Sequence, residues 1–214
     1  MSIVPVEPEQ VQVRYVGYFK DPVFQVLGNP ARLCQNLLKN FKPYGAEIRG
    51  LNIVLAVLSE AHVSCHLPSA GTARVFLDRF ELFLQNAQDE AQVEGLMESG
   101  WLALADTDDS LATTRHELIV STWARFRDND FGSYIRRFVT SPSERWQPTV
   151  QFSHDDERGS LSLEESNKAP GGLWMQSVIR IDGVEPAVSE VMPLYRDRLK
   201  EQLHVAGLGL DLPV

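Results

Sequence analysis

Three potential metal ligands fall within five residues at His62-Val-Ser-Cys65-His66. On an extended strand His62 and His66 would share a face, but four steps of about 3.3 Å hold them roughly 13 Å apart. Cys65 would point to the opposite face, whereas one zinc ion needs its ligands at about 2.0–2.3 Å. No metal site is expected there. His154-Asp155-Asp156-Glu157 gathers acid and base groups ahead of Arg158-Gly159. Between two strand-like stretches it reads as a hairpin turn, where Asp and Gly are favoured. A hydrolase built on His154 and its acidic neighbours is the competing reading. Asp106-Thr-Asp108-Asp109-Ser110 superficially resembles a calcium loop but lacks the glycine and the distal Glu of an EF-hand. Asp128-Asn-Asp130 fails in the same way and reads as a helix cap.

Nucleophile and phosphate motifs are missing as well. The chain has no Gly-x-Ser-x-Gly elbow, no G-x-x-x-x-G-K-[ST] loop and no G-x-G-x-x-G turn. Cys34 and Cys65 make no disulfide framework, and Cys34 sits on an apolar stripe as a small core residue. Nothing in these patterns calls for a cofactor, so a non-catalytic binding protein is the favoured class.

Charge is the most informative signal. The 214 residues carry 20 Lys+Arg against 29 Asp+Glu, a net charge of −9. Between Phe80 and Thr114 there is no Lys, Arg or His, while Glu81, Asp89, Glu90, Glu94, Glu98, Asp106, Asp108 and Asp109 all fall there. If this stretch is helical, Glu90, Glu94 and Glu98 repeat at i, i+4, where like charges repel. Either arginines downstream, from Arg115 to Arg145, neutralise them in the fold, or a basic partner does. The simplest alternative is a solvated polar face. An acidic balance also argues against nucleic acid, whose phosphates require a positive footprint.

These groups need elements to place them. Hydrophobic residues at 43% and charged residues at 23% are ordinary for a globular domain. No apolar run reaches the roughly 18–20 residues of a membrane helix. The N-terminus has neither a basic n-region nor an apolar h-region, so a cytoplasmic location is expected. Val11, Val13 and Tyr15 alternate as in a strand. Asn29-Pro30 opens a helix carrying Leu33, Cys34, Leu37, Leu38 and Phe41. Residues 52–59 and 61–67 read as strands. Ser69–Thr72 reads as the start of a second helix with Val75, Phe76, Phe80, Phe83 and Leu84 at helical spacing. Residues 117–126 alternate as a strand, although Ile119, Trp123 and Phe126 fit a helix nearly as well. A short helix follows from Asp130, then strands over 146–154, 160–164 and 174–181. A last helix over 189–205 places Val191, Met192, Tyr195, Leu199 and Leu203 on one side.

Both halves thus run strand, helix, two strands, helix. The expected fold class is α+β, a mainly antiparallel sheet of at least six strands with helices packed on one face. Residues 1–9 are expected to be a flexible N-terminal segment, 10–87 the first half and 88–114 an acidic connecting segment. The second half covers 115–205 and an apolar tail 206–214, the halves forming one compact domain. The leading functional expectation is a protein-interaction component whose acidic surface (Glu90, Glu94, Glu98, Asp106, Asp108, Asp109) meets a basic protein. The C-terminal tail is a second association element, packing on its own core or linking copies into a homo-oligomer. The runner-up is a small-molecule pocket lined by Tyr15, Trp123 and Trp174, with the loop Lys168–Trp174 at its rim.

Overall fold

A computed structural model describes residues 3–68, 70–128, 130–137, 158–182, 188, 190–210 and 212, and residues 152–156 and 189 by backbone alone. Among the described residues nine antiparallel strands form one sheet. In chain order they are β1 (Val4–Phe19), β2 (Leu51–Val54), β3 (His62–Leu67), β4 (Gly71–Phe76), β5 (Arg79–Leu84), β6 (Thr113–Phe126), β7 (Phe152–Asp156), β8 (Gly159–Glu165) and β9 (Leu173–Asp182). Across the sheet their order is β2-β3-β4-β5-β1-β6-β9-β8-β7. From the central β1/β6 pair the strands step outward as β5-β4-β3-β2 on one side and β9-β8-β7 on the other. The helices are α1 (Phe24–Gly28), α2 (Pro30–Phe41), α3 (Glu90–Ala105), α4 (Phe131–Ile135) and α5 (Val188–Ala206). They cover one face, on which Val13, Tyr15, Val63, Val75, Phe80, Leu82, Leu118, Val120, Met175 and Ile179 are all buried.

The alternation in residues 117–126 resolves as strand. In β6, Leu118, Val120, Thr122, Ala124 and Phe126 point into the core, and the odd-numbered residues from Glu117 to Arg125 point away. The cap read at Asn29 forms, its Oδ1 accepting from the Arg32 N–H at 3.3 Å. Asp130 caps α4 in the same way at 2.7 Å from the Ser133 N–H. All five residues assigned to one side of the last helix are buried on α5. The expected strand start at Trp146 lies outside the described residues.

Four expectations are corrected. Residues 4–9 are not loose, because β1 begins at Val4 with Val4 and Val6 buried. A bulge between Pro8 and Gln10 shifts the inward phase from even to odd positions, which hid the continuity. The helix read from Ser69 is the hairpin β4–β5. Ala73, Val75, Phe80, Leu82 and Leu84 alternate inward, and Leu77-Asp78 turns the chain. Gly71 opens β4 at φ +149°, where a Cβ would stand 1.8 Å from the Phe83 carbonyl oxygen. The strand at 52–59 is cut to Leu51–Val54. Residues 88–114 are no mere connector, since α3 occupies them with Val93, Leu96, Met97, Gly100, Ala103 and Leu104 on its buried face.

The C-terminal tail packs back on its own chain. Leu208-Gly209 forms a two-residue strand, β10, parallel to Val4-Pro5, and Leu210 and Leu212 lie against the core.

Close approach of α3 to the sheet depends on small residues. A Cβ at Gly100 would lie 2.2 Å from the Phe80 ring, itself fully buried. Alanine in a helix interior gains about 1 kcal/mol over glycine, but overpacking a rigid ring costs about 1–3 kcal/mol. The clash should win, and Gly100→Ala should lower the urea midpoint. An unchanged or raised midpoint would mean that α3 can lift without loss.

Candidate binding surfaces

Among the described residues, three of the eight carboxylates of the acidic stretch, Glu81, Glu90 and Asp106, are paired with cations of the same chain. Glu81, buried on β5, accepts from Arg79 Nε at 2.6 Å and from Arg14 Nη2 at 2.8 Å. Burial would raise its pKa, but these two bonds outweigh burial and hold the carboxyl below its ordinary value. Asp89 caps α3, its Oδ1 accepting from the Gln92 N–H at 2.8 Å. Glu90 pairs with Arg196 of α5 at 3.1 Å. Asp106, just past α3, accepts from Lys39 Nζ at 2.8 Å and Asn40 Nδ2 at 3.3 Å, and its pKa is lowered by these bonds. Asp108 is held low by the hydroxyl and N–H of Ser110. The arginine that answers the stripe is Arg196, outside the Arg115–Arg145 run. Glu94, Glu98 and Asp109 have no ion pair among the described residues, and Glu98 and Asp109 are exposed. Leu102, one turn beyond Glu98 on α3, is 57% exposed.

Tyr15, Trp123 and Trp174 do not line one pocket. Tyr15 is on the covered face, under α3, at the centre of a buried polar chain. Trp101 Nε1–H donates to the Tyr15 hydroxyl at 2.8 Å. That hydroxyl stands 2.6 Å from His116 Nδ1, and His116 Nε2 is 3.1 Å from Thr113 Oγ1. Every group is satisfied when Tyr15 donates to Nδ1 and a neutral His116 donates from Nε2 to Thr113. Gly17 makes room for this packing, since a Cβ there would be 2.4 Å from the Trp101 ring. Trp123 and Trp174 are cross-strand partners on the opposite, open face. Lys168 places its Nζ 3.5 Å from the Trp123 ring centroid, and Asn167 accepts from Trp123 Nε1–H at 3.4 Å. The loop before Trp174 therefore caps Trp123.

The open face carries a charge lattice. Glu117 of β6 lies 3.4 Å from both Arg115 Nε and Arg180 Nε and accepts from the Tyr18 hydroxyl at 3.1 Å. Glu117 and Glu81 flank Val16 in register, and each carboxylate sits between one arginine of its own strand and one of a neighbouring strand. The signal for this lattice was present in the sequence, as polar residues alternating at Arg115, Glu117, Ser121 and Arg125.

The remaining candidates separate. Cys65 points inward between His62 and His66, which face the open side. Burial raises both thiols, Cys65 to about 11, away from the thiolate a nucleophile needs. His154-Asp155-Asp156 ends β7 in a hairpin with β8, and its side chains lie outside the described residues. A cleft of about 540 Å³ lies between Pro8–Val11 and Asn86–Glu90, and among the described residues its lining includes Glu9, Asp89 and Glu90 and no Lys or Arg. Among the described residues no helix is long and apolar enough to cross a membrane. No family model matches the chain, and no curated protein is similar to it.

His116 supplies a pH test. Burial lowers its pKa below the ordinary imidazole value near 6.5. The unfolded chain therefore takes up a proton as pH falls below about 6.5, while the folded chain resists it. Stability should be full above that pH and should fall between pH 6.5 and pH 5, where the ion-paired carboxylates are still ionised. Urea midpoints across this window should show the loss in the native chain and a flatter profile in His116→Gln. Equal slopes in the two proteins would remove His116 as the cause.

Proposed function

We propose that this chain is a non-catalytic binding component that docks a basic protein on the outer side of α3, around Glu94, Glu98 and Leu102. One observation carries the reading. The fold supplies cations to Glu81, Glu90 and Asp106, yet Glu94 and Glu98 have none among the described residues. Like charges at i, i+4 cost a few tenths of a kcal/mol in a helix, so the pair gives the monomer nothing. An exposed leucine in line with two carboxylates offers a mixed surface, apolar at one end and acidic at the other. Charge on such a surface acts mainly by steering and orienting the encounter.

The small-molecule reading receives less support, because its three aromatic residues fall on two faces of the sheet. The hydrolase reading rests on His154, whose side chain lies outside the described residues.

The double substitution Glu94→Gln/Glu98→Gln should leave the circular dichroism spectrum intact and the melting temperature equal or slightly higher. It should also recover several-fold less of any protein that the native chain retains at low salt and releases at high salt. Equal recovery by a folded double variant would refute the reading, leaving Glu94 and Glu98 as a solvated face.

A further inference from the structure

The two edges of the sheet are built in opposite ways. Among the described residues one edge strand is β7, whose sequence Phe152-Ser-His-Asp-Asp156 is of the charged kind that disfavours pairing with another strand. The other edge, β2, has no such guard. The ten residues from Gly50 to Ser59 contain no charge and no proline. Half of the ten large apolar side chains exposed among the described residues cluster around it: Ile48 79%, Ile53 46%, Leu55 48%, Val57 51% and Leu58 64%. A monomer that kept this edge in water would leave open both its backbone groups and an apolar patch.

Register shows which face the patch continues. Leu51 pairs with Cys65 and Ile53 with Val63, and both partners are fully buried on the helix-covered side. Ile53 is nearly half exposed beside a buried neighbour because the helix layer ends at α2, which packs over β3. The apolar side of β2, Leu51 and Ile53, therefore runs out past the cover of the core, and the exposed Leu55 and Val57 follow just beyond the strand.

We infer that β2 docks against β2 of a second copy of this chain, antiparallel and about a twofold axis through Ile53. Three features favour a second copy over a different partner. The strand is self-complementary. Antiparallel pairing about a twofold normal to the sheet joins residues of one face when their numbers sum to an even value, and centring on Ile53 sets Leu51 against Leu55 and Ile53 against itself. The edge is locally neutral although the chain carries −9, so copies of like charge meet where repulsion is least, the nearby Glu47 being paired with Arg49 at 2.6 Å. The operation also keeps both helix layers on one side, so the half-covered apolar floor of each copy becomes continuous with the other. Isologous contacts of this kind close on themselves as a dimer and do not propagate.

Sedimentation of the full chain over a concentration series is expected to reach a mass twice the 24.1 kDa of the chain. Ile53→Lys places two like charges on the axis and should return the protein to one chain at all concentrations, with an unchanged circular dichroism spectrum. Should Ile53→Lys fail to fold, Leu55→Lys lies beyond the end of β2 and supplies the same charge without altering its ladder to β3. Ile53→Cys, treated with diamide, should form a disulfide with its own copy, while the native chain, whose Cys34 and Cys65 are buried, should not. A native chain that stays single at every concentration, or a dimer that survives both lysine variants, would overturn the inference. So would a dimer in which Ile53→Cys fails to cross-link.

Discussion

The structure depends on the pairing of β1 with β6. Residues a hundred positions apart are held in thirteen registered pairs from Val6↔Phe126 to Phe19↔Thr113, the longest ladder in the sheet. The tie is made by side chains as well as by backbone. Tyr15 meets His116 and Tyr18 meets Glu117 across it, and Glu7 and Glu9 reach Arg127 and Arg125. Neither half could close its core without this seam, since each outer strand set ends on one member of the pair. Such non-local pairing must meet its loop-closure entropy before its contacts form.

The seam also sorts polar groups by face. On the covered side, the Trp101–Tyr15–His116–Thr113 chain lies in a region that excludes water, where a lost partner would leave a costly orphan. That chain fixes the position of α3, because Trp101 reaches Tyr15 only by lying over Gly17. On the open side, Glu81 and Glu117 are each shared by two arginines at the margin of solvent, where single ion pairs are worth little and networks hold more. The distinction separates two kinds of polar residue. Those inside set geometry, and those outside keep a broad antiparallel face compatible with water.

Much of the fold was legible where the hydrophobic period was unbroken. The capped start of α2 and the apolar side of α5 follow from residue type and spacing alone, while the β6 alternation competed with a helical spacing until its ladder with β1 decided it. The failures have physical causes. The bulge after Pro8 reversed the inward phase of β1, so a continuous strand looked like a loose segment joined to a short one. Phe76, Phe80, Phe83 and Leu84 satisfy a helical spacing by accident, and only their pairing with β3 and β1 settles them as a hairpin. In α3, the reason for Gly95 and Gly100 lies outside the helix, where the Tyr44 hydroxyl and the Phe80 ring occupy the space that side chains would fill. Of the candidate site, the acidic stripe was legible as a pattern. Its partial neutralisation by Lys39, Arg14 and Arg196 was not, because those cations come from distant parts of the chain.

Placement along the first half decides whether the acidic helix and the apolar edge can both be used. Across this half the order is α3, then α2 packed against it, then β3 beneath α2, then β2 at the rim. One helix diameter, about 10 Å, therefore separates α3 from the rim. In a pair of copies joined at β2 the two α3 helices would stand at least two such widths apart. That exceeds the Debye length of about 8 Å at physiological salt, so the carboxylates of one copy would scarcely feel those of the other. The separation also leaves the outer side of α3 uncovered when the rim is closed. An acidic surface and an apolar edge can coexist on one small chain because α2 stands between them, its Lys39 bonded to Asp106 at the end of α3 and its inner face buried over β3.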